Sequence, residues 1–149
     1  MTPEPMSQRG PLSQSTPRTR LRVGIDLVQV SRVAESMNHF GERFLRRVFT
    51  DAEIAYATSA PDLSPMRLAA RFAAKEAAKK ALGLEGIGWR QIEVQRGPTG
   101  AVELVLHGNA AATAPERDEL AVSLSHEGDY ATAVVVTHIR LRDPGSSDP

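Results

Sequence analysis

The 149-residue chain contains no cysteine, which excludes disulfides, thiolate zinc sites and cysteine nucleophiles and fits a reducing compartment. Aromatic residues make up only 5%, against 41% hydrophobic residues in all, so its core must be mainly aliphatic and alanine-rich. Neither sign of charge prevails, since 18 Lys and Arg face 18 Asp and Glu. A neutral chain lacks the broad cationic surface of a nucleic-acid binder, and any basic site has to be local. No apolar run approaches the ~20 residues that span a bilayer, and the N-terminus has no apolar signal core. These absences point to the cytoplasm, with no membrane and no nucleic acid as partner. Catalytic signatures are missing as well. There is no GxxxxGK[ST] phosphate loop, no third glycine after Gly86 and Gly88 to complete a dinucleotide fingerprint, and no GxSxG elbow.

What is present reads as one domain. Residues 1–20 hold Pro3, Pro5, Pro11 and Pro17 without apolar periodicity, and disorder is expected there and in residues 142–149. Arg9, Arg18 and Arg20 make the first tail mildly basic, but its prolines break any amphipathic leader helix. Within residues 21–141, the stretch 21–30 is apolar and β-branched and reads as a strand interrupted by Asp26. Ser31 suits the cap of a helix running to Phe40. Thr50 and Glu53 form a capping box before a short helix that ends ahead of Pro61. Ser64 as cap, Pro65 at the first position and Gly83 as stop frame an alanine-rich helix over residues 66–82. The period then changes to two. Ile92 and Val94, then Val102, Leu104 and Leu106, alternate with polar residues around a turn at residues 97–100. A short helix fits within residues 109–119, and residues 121–125 and 130–137 make a hairpin around Glu127, Gly128 and Asp129. The expected fold is α+β: one antiparallel sheet packed with a long central helix and shorter helices.

Asp26 stands among Val23, Ile25, Leu27 and Val28. A carboxylate in such a strand is expected to be partly buried, where a charge needs a partner or a metal. The plainer alternative is an Asp capping a turn at the strand end. All three lysines, Lys75, Lys79 and Lys80, lie on the long helix. Arg67, Arg71, Lys75 and Lys79 recur every four residues and make one cationic stripe, suited to phosphate or simply solvated. Beside it run Phe72, Glu76 and Lys80, with Phe72 toward the core and the other two at its boundary. Glu76 and Lys80 are either an ordinary helix pair or a metal ligand and a phosphate ligand. Asp26 and Glu76, with waters and phosphate oxygens, suit octahedral Mg²⁺. Ser123, Ser125 and His126 end a strand at a turn, where they can meet phosphate or ribose. Ser125 and His126 point to opposite faces and are poorly placed as a nucleophile pair. His39, His107 and His138 have no metal-ligand spacing and read as structural.

Three blocks together resemble holo-acyl-carrier-protein synthase, the small type of phosphopantetheinyl transferase. They are Gly24-Ile25-Asp26-Leu27-Val28 with Arg32, then Arg71-Phe72-Ala73-Ala74-Lys75-Glu76-Ala77 running on to Lys80 and Gly83, then Ser123-Leu124-Ser125-His126. Residues 44–53 are similar to the family's Phe/Arg segment leading into Thr-x-x-Glu. The resemblance implies transfer of 4'-phosphopantetheine from coenzyme A to a serine of apo acyl carrier protein, releasing adenosine 3',5'-bisphosphate, in fatty acid or polyketide biosynthesis. It implies that Asp26 and Glu76 hold Mg²⁺, and that Glu76 or a bound water takes the serine proton. It implies that Lys80 steadies the pyrophosphate, with Ser123, Ser125 and His126 lining the coenzyme A cleft, where Arg71 and Lys75 of the cationic stripe are expected to bind phosphate. It also implies a homotrimer with active sites at subunit boundaries. Arg32 is expected to meet the acidic carrier, and Arg43, Arg46 and Arg47 extend it into a basic patch. The chain departs from the family's Gly-x-Pro turn at Gly100-Ala101-Val102, has a long N-terminal tail, and carries Lys79 as an extra cation. A non-catalytic coenzyme A or nucleotide-binding module of the same fold is the alternative, distinguished by metal-dependent transfer.

Overall fold

The computed structural model describes residues 17–142. The tails expected to be disordered lie almost wholly outside the described residues. Strand β1 (Thr19–Gln29) nevertheless starts two residues before Leu21, with Thr19 paired to Arg140 and Arg20 to Ile139. Helices α1 (Val30–Phe40), α2 (Glu42–Val48) and α3 (Asp51–Thr58) follow, then the long α4 (Ser64–Leu82). A 3₁₀ turn at Trp89–Gln91 leads into β2 (Ile92–Arg96) and β3 (Val102–Leu106). The chain closes with α5 (Gly108–Thr113), β4 (Ala121–Glu127) and β5 (Tyr130–Arg140). All strand pairs are antiparallel, as expected, but they divide into two ladders, β1-β5-β4 and β2-β3. The two ladders share a core, in which Ile92 and Val94 pack with Ala133, Val135 and the alanines of α4. Among the described residues no helix is long and apolar enough to cross a membrane.

Helix α4 is the axis of the molecule. Ala73, Ala74, Ala77, Ala78 and Ala81 are buried along it, and their small side chains let the sheet come close. The approach is tightest at Gly24 of β1, where a Cβ would run into the Ala77 carbonyl. Gly83 stops the helix in the left-handed conformation, φ 69°, with its N–H bonded to the Lys79 carbonyl. Ser64 does not cap it, contrary to expectation. The 3₁₀ turn at Pro61–Leu63 runs straight into the helix, so Ser64 is already helical and its hydroxyl donates to the Ala57 carbonyl at 2.9 Å.

Nor does Ser31 cap α1, because the helix already begins at Val30. The cap comes from Asp129 in the β4–β5 turn. Its carboxylate accepts from the Ser31 amide at 2.8 Å, the Ser31 hydroxyl at 2.6 Å and Gln29 Nε2 at 2.9 Å. The hydrogen bonds from Ser31, then that from Gln29, hold the Asp129 carboxyl below the usual carboxylate range. The capping box of α3 forms as expected, and Glu53 does more than cap. Its carboxylate is fully buried, 2.7 Å from Lys75 Nζ, and also accepts from the Val94 amide at 2.8 Å.

Strand β1 inverts the simple reading of its apolar run. Gly24, Asp26 and Val28 lie on the face toward α4, whereas Leu21, Val23, Ile25 and Leu27 point outward and are 60–64% exposed. Opposite them on β5 stand Val136 beside Val23 and Val134 beside Ile25. One face of the three-stranded sheet is therefore covered by α4, and the other is apolar and bare.

Candidate active site

Helix α4 contributes to two clefts that share no residue. The first, about 490 Å³, brings together Asp26 from β1, Arg32 and Ser36 from α1, Phe44 from α2, and Phe72 and Glu76 from α4. Strand alternation turns Asp26 inward, and helical spacing sets Glu76 one turn beyond Phe72. Lys80, one turn further, donates to Asp26 Oδ1 at 3.0 Å and to the Ile25 carbonyl at 2.8 Å. The Asp26 side chain is 20% exposed and that of Lys80 52%, so the ammonium stays within reach of a ligand. Glu76 Oε1 accepts from the indole Nε1–H of Trp89.

Asp26 and Glu76 fit a hard divalent cation. Among the described residues no three His, Cys, Asp or Glu side chains converge, so there is no closed cage of the kind structural zinc or calcium requires. Two carboxylates in one open cleft are instead the protein's usual share at a Mg²⁺ site, where waters and substrate phosphates complete the octahedron.

The second cleft, about 570 Å³, is cationic. Arg67 and Arg71 from α4 and Arg96 from β2 surround the Tyr56 ring, with guanidinium carbons 4.6, 4.1 and 5.4 Å from its centroid. Burial pushes the Tyr56 phenol up. The hydrogen bond from Arg96, with the charges of Arg96, Arg67 and Arg71, outweighs burial and holds it below its ordinary value. Arg71 is buried and its Nε has no hydrogen-bond partner. Desolvation is also what lowers its pKa, against the opposing pull of Tyr56 and Glu53. Ser123 and His126 line this same cleft, whereas Ser125 belongs to neither.

The cationic stripe therefore does not form one surface. Lys75 is wholly buried, and besides Glu53 it serves the Trp89 and Ile92 carbonyls at 3.0 and 2.6 Å. Its three protons are spoken for, which corrects the expectation that it binds phosphate. Burial lowers its pKa, and the Glu53 carboxylate opposes that shift. Lys79 is buried too, its ammonium 4.6 Å from the Trp89 ring centroid, so Lys80 is the lysine left for a ligand. In the basic patch, Arg43 and Arg47 line a third cleft with Phe40 and Trp89, which adjoins the first through Ser36, Phe44 and Phe72. Arg46 turns aside to Glu42, 3.5 Å away. Sequence reasoning missed Trp89, Tyr56 and Arg96. Trp89 carried one signal, as the chain's one tryptophan; Tyr56 and Arg96 reach their arginine and cleft partners only through folding.

Comparison with known proteins agrees in fold and sequence. The 4'-phosphopantetheinyl transferase superfamily profile matches residues 22–135. A holo-[acyl-carrier-protein] synthase of Koribacter versatilis is 46% identical over 123 residues, covering 78% of this chain and 96% of the relative. Its counterpart from Carboxydothermus hydrogenoformans is 48% identical over 118 residues, covering 76% and 94%. Among solved structures, the ACPS–CoA complex of Chronobacterium ammoniagenes superposes with a TM-score of 0.72 at 33% identity, covering 82% of this chain and 99% of that one.

Proposed function

The chain belongs to the 4'-phosphopantetheinyl transferase superfamily, and on that premise we propose how its two clefts do the work of transfer. The protein transfers 4'-phosphopantetheine from coenzyme A to a serine of apo acyl carrier protein, giving the holo carrier and adenosine 3',5'-bisphosphate. The observation that carries this reading is the meeting of Asp26, Glu76 and Lys80 at the first cleft. Asp26 and Glu76 would hold Mg²⁺, which when bound supplies charge neutralisation along the pyrophosphate. Lys80 leaves Asp26 for a pyrophosphate oxygen and stabilises the leaving group as charge accumulates there. The carrier serine oxygen bonds to the β-phosphorus, the bond from that phosphorus to the bridging oxygen breaks, and the serine proton passes to Glu76 or to water. No protein nucleophile is needed, because positioning and charge do most of the work in such transfers.

The second cleft suits the phosphorylated adenosine end of coenzyme A, through Arg71, Ser123 and His126. The separation of the two clefts within one chain and the bare apolar sheet face support a homotrimer whose sites are completed by a neighbour. Arg32, with Arg43 and Arg47 beside it, would steer an acidic carrier helix to the first cleft. Service to fatty acid or polyketide carriers and a cytoplasmic address complete the reading. The test is the intact mass of an apo carrier incubated with the protein, coenzyme A and Mg²⁺. A gain of one phosphopantetheine that chelator abolishes is expected. No gain with several carriers, while coenzyme A still binds, would leave a non-catalytic binding module.

A further inference from the structure

No step of the transfer calls for an indole, yet the chain's one tryptophan is tied to Glu76. Trp89 is held from several directions. Its carbonyl accepts from the buried Lys75 ammonium at 3.0 Å, which is itself locked to Glu53. Phe72 packs against the ring, tilted, with centroids 5.8 Å apart. Lys79, 7% exposed, sets its ammonium 4.6 Å from the ring centroid. A desolvated cation over an aromatic face binds it more strongly than an exposed one. It also draws π density from the ring, and so makes the Nε1–H a better donor. The buried lysines of α4 thus both contact Trp89, whose indole bonds Glu76.

The hydrogen bond engages one oxygen of Glu76. Oε1 accepts from Trp89, and among the described residues Oε2 has no hydrogen-bond partner. We propose that Trp89 is a positioning residue for the divalent cation: by occupying Oε1 it aims Oε2 into the cleft shared with Asp26 and makes Glu76 a one-oxygen ligand. Mg²⁺ tolerates little departure from octahedral geometry, so a carboxylate prevented from rotating lowers the cost of assembling the site. This rests on the reading of Asp26 and Glu76 as cation ligands. With both oxygens of Glu76 engaged, the serine proton passes to water.

The test measures Mn²⁺ binding by electron paramagnetic resonance on the full chain, with coenzyme A and without carrier. Wild type is compared with Asp26→Asn and with Trp89→Phe, which keeps an aromatic ring for Phe72 and Lys79 to pack on and removes the N–H donor together with the second ring. Asp26→Asn should abolish binding, and Trp89→Phe should weaken it about tenfold with coenzyme A affinity unchanged. In wild type, added Mg²⁺ should shift the emission of the one tryptophan, and in Asp26→Asn it should not. If wild type binds Mn²⁺ no better than Asp26→Asn, the cation site itself fails and takes this role of Trp89 with it. If wild type binds and Trp89→Phe matches it, or if Mg²⁺ binds without moving the emission, the cation site stands and the role of Trp89 is overturned.

Discussion

Asp26 and Lys80 hold each other in the absence of substrate, and this arrangement determines what each can do. The ammonium neutralises a partly buried carboxylate and remains half exposed, as the proposed exchange of that partner for phosphate oxygens requires. Glu76 is restrained from the other side by Trp89. Neither acid has an ion pair deep in the core that its removal would orphan, so each can be deleted without collapse of the fold. Asp26→Ala and Glu76→Ala are each expected to cost about 10³-fold or more in transfer, the scale on which lost transition-state charge stabilisation acts. Circular dichroism should show both variants folded. Mg²⁺-dependent turnover retained in either, read by carrier mass, would remove that residue from the site.

Among the elements, α4 carries lysines in two opposite settings, Lys75 buried and Lys80 five residues on half exposed. Lys80 pairs with Asp26, whereas Lys75 joins α4 to α3 through Glu53 and to the segment entering β2 through the Trp89 and Ile92 carbonyls. A buried ion pair adds little net stability when intact, but removal of one partner leaves an uncompensated buried charge. Lys75→Met is therefore expected to lower stability by about 3–5 kcal/mol in urea unfolding, the cost of breaking such a pair. A loss well under 1 kcal/mol, with transfer impaired, would return Lys75 to the list of phosphate ligands. Other elements are joined just as indirectly. Asp129 caps α1 from the β4–β5 turn, so the helix that carries Arg32 is anchored to the hairpin that carries His126. Because its folded pKa is depressed, that cap contributes stability above the unfolded carboxyl pKa and loses it as pH falls through the folded one.

For the molecule as a whole, the outer face of the β1-β5-β4 sheet is an exposed apolar surface. Leu21, Val23, Ile25 and Leu27 stand in a row with Val134 and Val136 beside them, and a row of that kind buried in an assembly stabilises by roughly 25 cal/mol per Å² removed from water. Ser123 lies on the same face, paired with Val134, and also lines the second cleft. Self-association through this face would carry one chain's cationic cleft toward a neighbour's carboxylates. If this face is the subunit interface, Val23→Glu is expected to abolish self-association, read by light scattering, and to abolish transfer, although Val23 lines neither cleft. Glu76→Ala and His126→Ala chains, each inactive alone, should regain activity when unfolded and refolded together. Fully active Val23→Glu monomers would place the whole site within one chain.

The local elements were legible because their causes are local. The Thr50 and Glu53 capping box, the stop at Gly83 and the turn of the last hairpin at Gly128 each depend on neighbours a few positions away. The conjunction of Asp26 with Glu76 and Lys80 was legible through the family resemblance, whereas spacing on the helix set only that Glu76 and Lys80 share a face. The caps of α1 and α4 were not, because Asp129 and the turn at Pro61–Leu63 act through tertiary placement. The same holds for the stripe. Four cations at helical spacing are identical as a pattern, whether a face meets water or another element. Only packing decided that Lys75 and Lys79 are buried against Glu53 and Trp89, that Arg71 lies in a separate cleft, and that Lys80 alone of the lysines is left to meet a substrate. Sequence determines which side chains share a face of an element, and burial against the neighbouring elements determines which of those charges a ligand can reach.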